Sequence, residues 1–473
     1  MPAPNIVLIV ADDMGYGDFG RFNDGHVRTP VLDGLIDSGI SLTQHYSGSP
    51  VCAPARAALM TGRYPHRTGA ITPQETLGYD RLGLDEVTIA DALKAAGYAT
   101  GLVGKWHLSA LDPRFHPNAR GFDEFAGFRG GWADYYRWRF DRNGSFEEAD
   151  GRYLTDVLAE EAVGFIKRHA SEPFFLNVTF NAPHSPLQAP EEVIAPYRAM
   201  GLSEGVAITY AMIEVMDRGV GRILQSLKDA GVSGNTIVQF TSDNGPAFMF
   251  RPDQVPEGVS IDTTRFNCGF NGAKGSVYEG GIRVPMVVRW PDGLDGAREV
   301  RDIIHFTDWY PTLLGVAGAK RPNGPAIDGH DMLPALRGEA GASPARFWKW
   351  NDYSPIPTTN AAMRDGDWKL VRPRIEGIVP ATPADQQLMD AYVQRDIDYK
   401  YSPLEVTQIA DWREPDRLIP DAPLPELYDI ANDPLEQNDL AAADPERARR
   451  MLAKLETWSE SVQTDRLMAR QER

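Results

Sequence analysis

A cysteine four residues ahead of an arginine, Cys52 and Arg56, is the pair in this sequence best placed to do chemistry. They lie in Ser49-Pro50-Val51-Cys52-Ala53-Pro54-Ala55-Arg56-Ala57-Ala58-Leu59-Met60-Thr61-Gly62-Arg63, where Pro54 suits the first turn of a helix. Cys52 is then expected at a helix N-terminus, where free N–H groups and the dipole favour an anion, with Arg56 on the same face. A reactive group beside a guanidinium fork fits a tetrahedral oxyanion. A lone cysteine is most often a small buried hydrophobe, so the chemical reading rests on these neighbours.

Apolar runs at residues 5–10, 99–103, 174–180, 236–241 and 284–289 are expected strands, and residues 88–96 and 208–230 have helical spacing. Alternation of this kind implies an α/β fold with a mainly parallel sheet sandwiched by helices, which places ligands beyond the carboxyl ends of its strands. Polar residues stand there: Asp12 and Asp13, Lys105 and His107, Asn181 to His184, and Asp243 with Asn244. After about residue 340 the pattern changes, with a turn into a strand over 363–372, a short strand at 426–430 and a charged helix over 445–462. We therefore divide the chain into 1–345, the catalytic unit, and 346–473, a smaller α+β unit with an antiparallel sheet and a closing helix. The Pro- and Asp-rich stretch 375–425, with a helix expected near 384–398, fits a lid, a subunit contact or a surface insertion.

The 473 residues, 42% hydrophobic and 24% charged, have the composition of an ordinary folded protein. A formal net charge of -18 repels polyanions and argues against nucleic-acid and membrane partners. The apolar stretch at residues 5–10 is too short for a signal peptide or a membrane span, so the chain as given is expected in the cytoplasm, or in the periplasm or medium had a leader been removed. Two cysteines, Cys52 and Cys268, allow at most one bridge.

The Cys-x-Pro-x-Arg core of Cys52, Pro54 and Arg56, with Leu59-Met60-Thr61-Gly62, resembles the signature of the formylglycine-dependent sulfatases of the alkaline phosphatase superfamily. Gly97-Tyr98-Ala99-Thr100-Gly101-Leu102-Val103-Gly104-Lys105-Trp106-His107 resembles a second signature of that family, and Leu427-Tyr428-Asp429 through Asp433-Pro434 is similar to a C-terminal element. The resemblance implies an alkaline-phosphatase-like fold and the hydrolysis of aryl or carbohydrate sulfate monoesters. It also implies that a maturation enzyme oxidises Cys52 to formylglycine, whose hydrate is the nucleophile.

Carried over by position, the resemblance makes Asp12, Asp13, Asp243 and Asn244, with Cys52, the metal site. Three carboxylates and an amide oxygen suit calcium, which we favour, or magnesium, and not zinc. Arg56, Lys105 and Lys274, the last in Asn271-Gly272-Ala273-Lys274-Gly275, are implied to hold the sulfate oxygens. His184 or Lys274 protonates the departing alcohol, leaving a sulfate ester of the hydrated aldehyde, and His107 removes the proton that expels sulfate. Trp132, in a cluster with Tyr135, Tyr136 and Trp138, is a candidate to stack on substrate. His45, His66 and His305 are further pocket candidates.

Two other readings share these residues: hydrolysis of phosphate diesters or phosphonate monoesters within the same superfamily, and non-catalytic binding of a sulfated ligand with Cys52 still a thiol.

Overall fold

The computed structural model describes residues 3–339, 343–402, 405–410 and 412–471. Ten strands form the main sheet: β1 (Asn5–Ala11), β2 (Ile40–Leu42), β3 (Ala99–Lys105), β4 (Glu124–Phe128), β5 (Arg139–Arg142), β6 (Ser145–Glu148), β7 (Phe174–Thr179), β8 (Thr236–Ser242), β9 (Met286–Arg289) and β10 (Arg298–Val300). Their order is β10-β2-β9-β8-β1-β7-β3-β4-β5-β6. The centre, β8 to β4, is parallel, with Val7 paired to both Leu176 and Val238. The strand expected over 284–289 runs antiparallel to both its neighbours, as do β5 and β6 to theirs, so antiparallel pairs flank the parallel centre.

Alternation along β1 explains why helices cover both faces. Ile6, Leu8 and Val10 enter one core with Leu59 and Met60 of helix α1 (Cys52–Thr61). Val7, Ile9 and Ala11 enter the other, with Leu158 of α2 (Leu154–His169) and Ile213 of α3 (Glu204–Asp229). Each such Val, Leu, Ile or Met side chain contributes about 1.5–3 kcal/mol on burial. Every residue of α1 is buried, which its alanines permit: a Cβ on Gly48 would stand 2.3 Å from that of Ala58.

The second sheet is antiparallel: β11 (Arg346–Lys349), β12 (Ala361–Asp365), β13 (Trp368–Arg372) and β14 (Glu426–Asp429), paired in that order. One face, with Trp348, Ala362, Val371 and Tyr428, packs on Tyr46, Val277 and Ile282. The other, with Met363, Leu370 and Leu427, packs on Leu455, Trp458 and Val462 of α5 (Pro445–Gln471). The intervening stretch forms α4 (Pro383–Tyr401) and a two-stranded ribbon. No helix among the described residues is long and apolar enough to cross a membrane.

Candidate active site

The parallel strands deliver polar residues to one edge of the sheet. Asp12 and Asp13 follow β1, Lys105 ends β3, His184 lies in the loop after β7, and Asp243 and Asn244 follow β8. Cys52 opens α1 as its first residue, Pro54 lies in the first turn, and Gly62 ends the helix at φ 70°, a left-handed cap that glycine adopts freely.

Four groups converge at the head of α1. Cys52 Sγ donates to Asp12 Oδ1 at 3.5 Å. Potential ligand atoms of Asp12, Asp13, Cys52 and His184 all lie within 4.8 Å of one another. Arg56 donates through Nε and Nη2 to Asp243 Oδ2 at 3.0 and 2.8 Å, and through Nη1 to the Lys105 carbonyl at 3.2 Å. Lys105 Nζ is 2.6 Å from Asp12 Oδ2, and Lys274 Nζ is 2.7 Å from Asp13 Oδ1. Asn244 donates to Asp13 Oδ1 at 2.7 Å, while His184 Nε2 stands 3.7 Å from Asp13 Oδ2.

Burial and crowding set the charge states. Burial, and after it the carboxylate of Asp243, pushes the Asp12 carboxyl up to about 7. Burial would also raise Asp13, but Lys274, His184 and the hydrogen bonds from Lys274 and Asn244 together outweigh it and hold that carboxyl below its ordinary range. Burial raises the Cys52 thiol to about 12 against the pull of Lys105 and Lys274, so an unmodified Cys52 is a protonated, weak nucleophile at neutral pH. Burial keeps His107 and His184 neutral, far below the usual histidine range.

The donor set fits a hard divalent cation. Burial, together with the nearby Asp243 carboxylate, raises Asp12, and the buried Oδ1 of Asn244 has no hydrogen-bond partner. A cation supplies the positive charge that the first fact lacks and the ligand that the second awaits.

A cavity of about 250 Å³ opens above these groups, lined by Cys52, His107, Trp132, His184 and Lys274. Trp132 is the cleft-lining member of its aromatic cluster. Tyr135 is buried beneath, donating to the His184 carbonyl at 2.9 Å and stacked on Tyr153, and Trp138 and Tyr136 do not line the cleft. His45, His66 and His305 are not pocket residues. Each is buried elsewhere: His45 accepts from Trp309 Nε1, His305 caps a short helix, and His66 faces Trp458.

The sequence reading missed the far wall, which contains Gln74, Arg251, Tyr392, Asp396 and Lys400. Three of these belong to α4, so the 375–425 stretch reaches the cleft. The spacing of Tyr392, Asp396 and Lys400 at every fourth residue was the available signal for a shared helix face.

Comparison with known proteins follows the same lines. The family model described as Sulfatase matches residues 4–319, and that described as N-sulphoglucosamine sulphohydrolase, C-terminal, matches residues 270–375. N-acetylgalactosamine-6-sulfatase of Canis lupus familiaris is 36% identical over 397 residues, covering 74% of this chain and 72% of its own. Steryl-sulfatase of Rattus norvegicus is 32% identical over 436 residues, covering 73% and 72%. Ps i-CgsB, solved in complex with k-i-k-neocarrahexaose, superposes with a TM-score of 0.78 at 30% identity, covering 97% of this chain and 93% of its own.

Proposed function

The chain belongs to the sulfatase family and hydrolyses sulfuric esters, and from that premise we propose that Cys52, matured to formylglycine by a dedicated enzyme, is its nucleophilic position and that its substrate is a carbohydrate sulfate. The observation that supports this most is charge balance at the head of α1. Arg56, Lys105 and Lys274 face Asp12, Asp13 and Asp243, three cations against three carboxylates. A divalent ion added to that set leaves a net positive site, which suits the equatorial oxygens of a sulfate.

Asp12, Asp13, Asp243 and Asn244 would hold that ion, with calcium preferred, and it would polarise sulfate and the nucleophilic hydroxyl. The aldehyde supplies a hydrate with two hydroxyls, so the enzyme has a route to release sulfate that a serine or thiol lacks. The chain's own residues do the rest. Arg56, fixed on Asp243 and the Lys105 carbonyl, holds α1 in register with two strand ends. Lys105 and Lys274 present charge to sulfate, and Lys274, or His184 once a bound sulfate anion has drawn a proton onto its Nε2, passes a proton to the departing alcohol oxygen. His107 takes the proton whose removal expels sulfate. Trp132 offers a face to the sugar ring. Carbohydrate is favoured by the oligosaccharide bound to Ps i-CgsB.

Turnover of sulfated mono- and oligosaccharides, set beside an aryl sulfate and an aryl phosphonate, tests this reading. Sulfated sugars are expected to have the highest kcat/KM. A preference for the phosphonate would reject it.

A further inference from the structure

Lys400, near the end of α4, is a buried lysine held by two carboxylates. Its Nζ lies 2.9 Å from Glu75 Oε2 and 2.6 Å from Asp396 Oδ1, and the side chains of Lys400 and Glu75 are 2% and 1% exposed. Glu75 in turn has its other oxygen, Oε1, on the Gly131 amide and 3.7 Å from His107 Nε2. The same nitrogen is 3.2 Å from the Pro73 carbonyl. Both neighbours of Nε2 are acceptors, so the proton of the neutral ring belongs on Nε2. His107 Nδ1 is buried without a partner, and its ring lines the cleft beside Cys52. A ring pinned in this way presents an unshared pair at Nδ1.

We propose that Lys400 is a positioning residue for His107: by clamping Glu75 it fixes the orientation and tautomer of the imidazole, and so ties the 383–401 helix to the chemistry. This rests on the reading of His107 as the proton acceptor. The arrangement is a buried carboxylate beside a histidine, with a lysine that opposes the upward push of burial on the carboxyl and holds it in place. Lys400 also stands 5.9 Å from the centroid of Trp132, whose ring meets Tyr401 edge-on at 5.3 Å, so one helix end secures both the base and the aromatic wall. The other charges near His107 are Lys105 and Arg56. Both belong to the sulfate site and neither bonds to the ring, so Nε2 is oriented by the hydrogen-bonding Pro73 carbonyl at 3.2 Å and, by charge, by the Glu75 carboxylate at 3.7 Å.

The test uses the full-length enzyme as K400M, K400R, E75Q and H107A, with nitrogen NMR of labelled histidine and steady-state kinetics on one sulfate ester. Wild type and K400R are expected to show a neutral His107 protonated at Nε2. K400M and E75Q lose that single tautomer and lower kcat by about 10- to 100-fold with little change in KM, the size of effect that loss of an orienting partner produces. If K400M does not fold, E75Q, an isosteric change, gives the same readouts. Unchanged His107 resonances in E75Q, or an effect of Lys400 replacement confined to KM, would overturn the proposal. An H107A enzyme with undiminished turnover would instead refute the role of His107, a result independent of the NMR signal.

Discussion

Lys105 Nζ and Asp12 Oδ2 meet at 2.6 Å in a pair from which solvent is wholly excluded. Each is the main compensation for the other's desolvation, so removing one strands the other. Lys105→Ala is expected to cost about 3–5 kcal/mol in the absence of metal, the range for an orphaned buried charge. Added calcium should recover part of that loss by taking over the neutralisation of Asp12. Urea denaturation with and without calcium measures both effects, and a loss of equal size in the two conditions would contradict a metal at Asp12.

Chelation should abolish turnover and lower the melting temperature. Calcium at 100 times its Kd restores about 2.7 kcal/mol by mass action. Asn244→Ala removes the amide oxygen that has no protein partner and should weaken calcium binding at least as much as loss of an outer partner does, about 10–100-fold. Titration calorimetry reads this directly, and unchanged affinity would remove Asn244 from the ligand set.

Cys52→Ala and Cys52→Ser should both reduce turnover to background while leaving the melting temperature near that of the parent. Mass spectrometry of the tryptic peptide spanning residues 29–56 from active enzyme should show an aldehyde. A wholly thiol-alkylated peptide from an active preparation would defeat the mechanism.

A second buried cluster makes a pH prediction. Lys369 Nζ lies 2.9 Å from Glu279 Oε1 and 2.8 Å from Glu436 Oε1. Burial, offset in part by Lys369, lifts the Glu436 carboxyl to about 7 from an ordinary 4.5. A raised carboxyl means that the folded state holds a proton the unfolded chain has released, so this group's contribution to stability falls as pH rises from about 4.5 to 7. Glu436→Gln cannot ionise. Its melting temperature relative to wild type should therefore be more favourable at pH 8 than at pH 5, and an equal offset at both would show that Glu436 does not titrate.

The strand ends were legible because a parallel sheet buried on both faces writes itself as apolar runs with polar stops. Asp12, Lys105 and Asp243 stand where those runs end. Cys52 was legible from Pro54 and Arg56, which mark a helix start and its face. The antiparallel direction of Met286–Arg289 was not, because pairing direction depends on the connection and leaves no trace in the period of a four-residue strand. Glu75 and Lys400 were invisible for a related reason: they are 325 residues apart, and neither carries a local signature. The three histidines at 45, 66 and 305 show the converse, since a residue type suited to catalysis also serves as an ordinary core hydrogen-bonding group.

The cleft is assembled from two distant parts of the chain. Its floor, at the strand ends, is complete by Lys274, whereas Tyr392, Asp396 and Lys400 on the opposite wall come from a helix more than a hundred residues later. A ribosome would therefore finish the reactive floor well before the wall that shapes what reaches it. Over evolutionary time, exchange of the 383–401 helix around a retained Lys400 offers a way to change which sulfated molecule enters, while the proposed catalytic groups stay as they are.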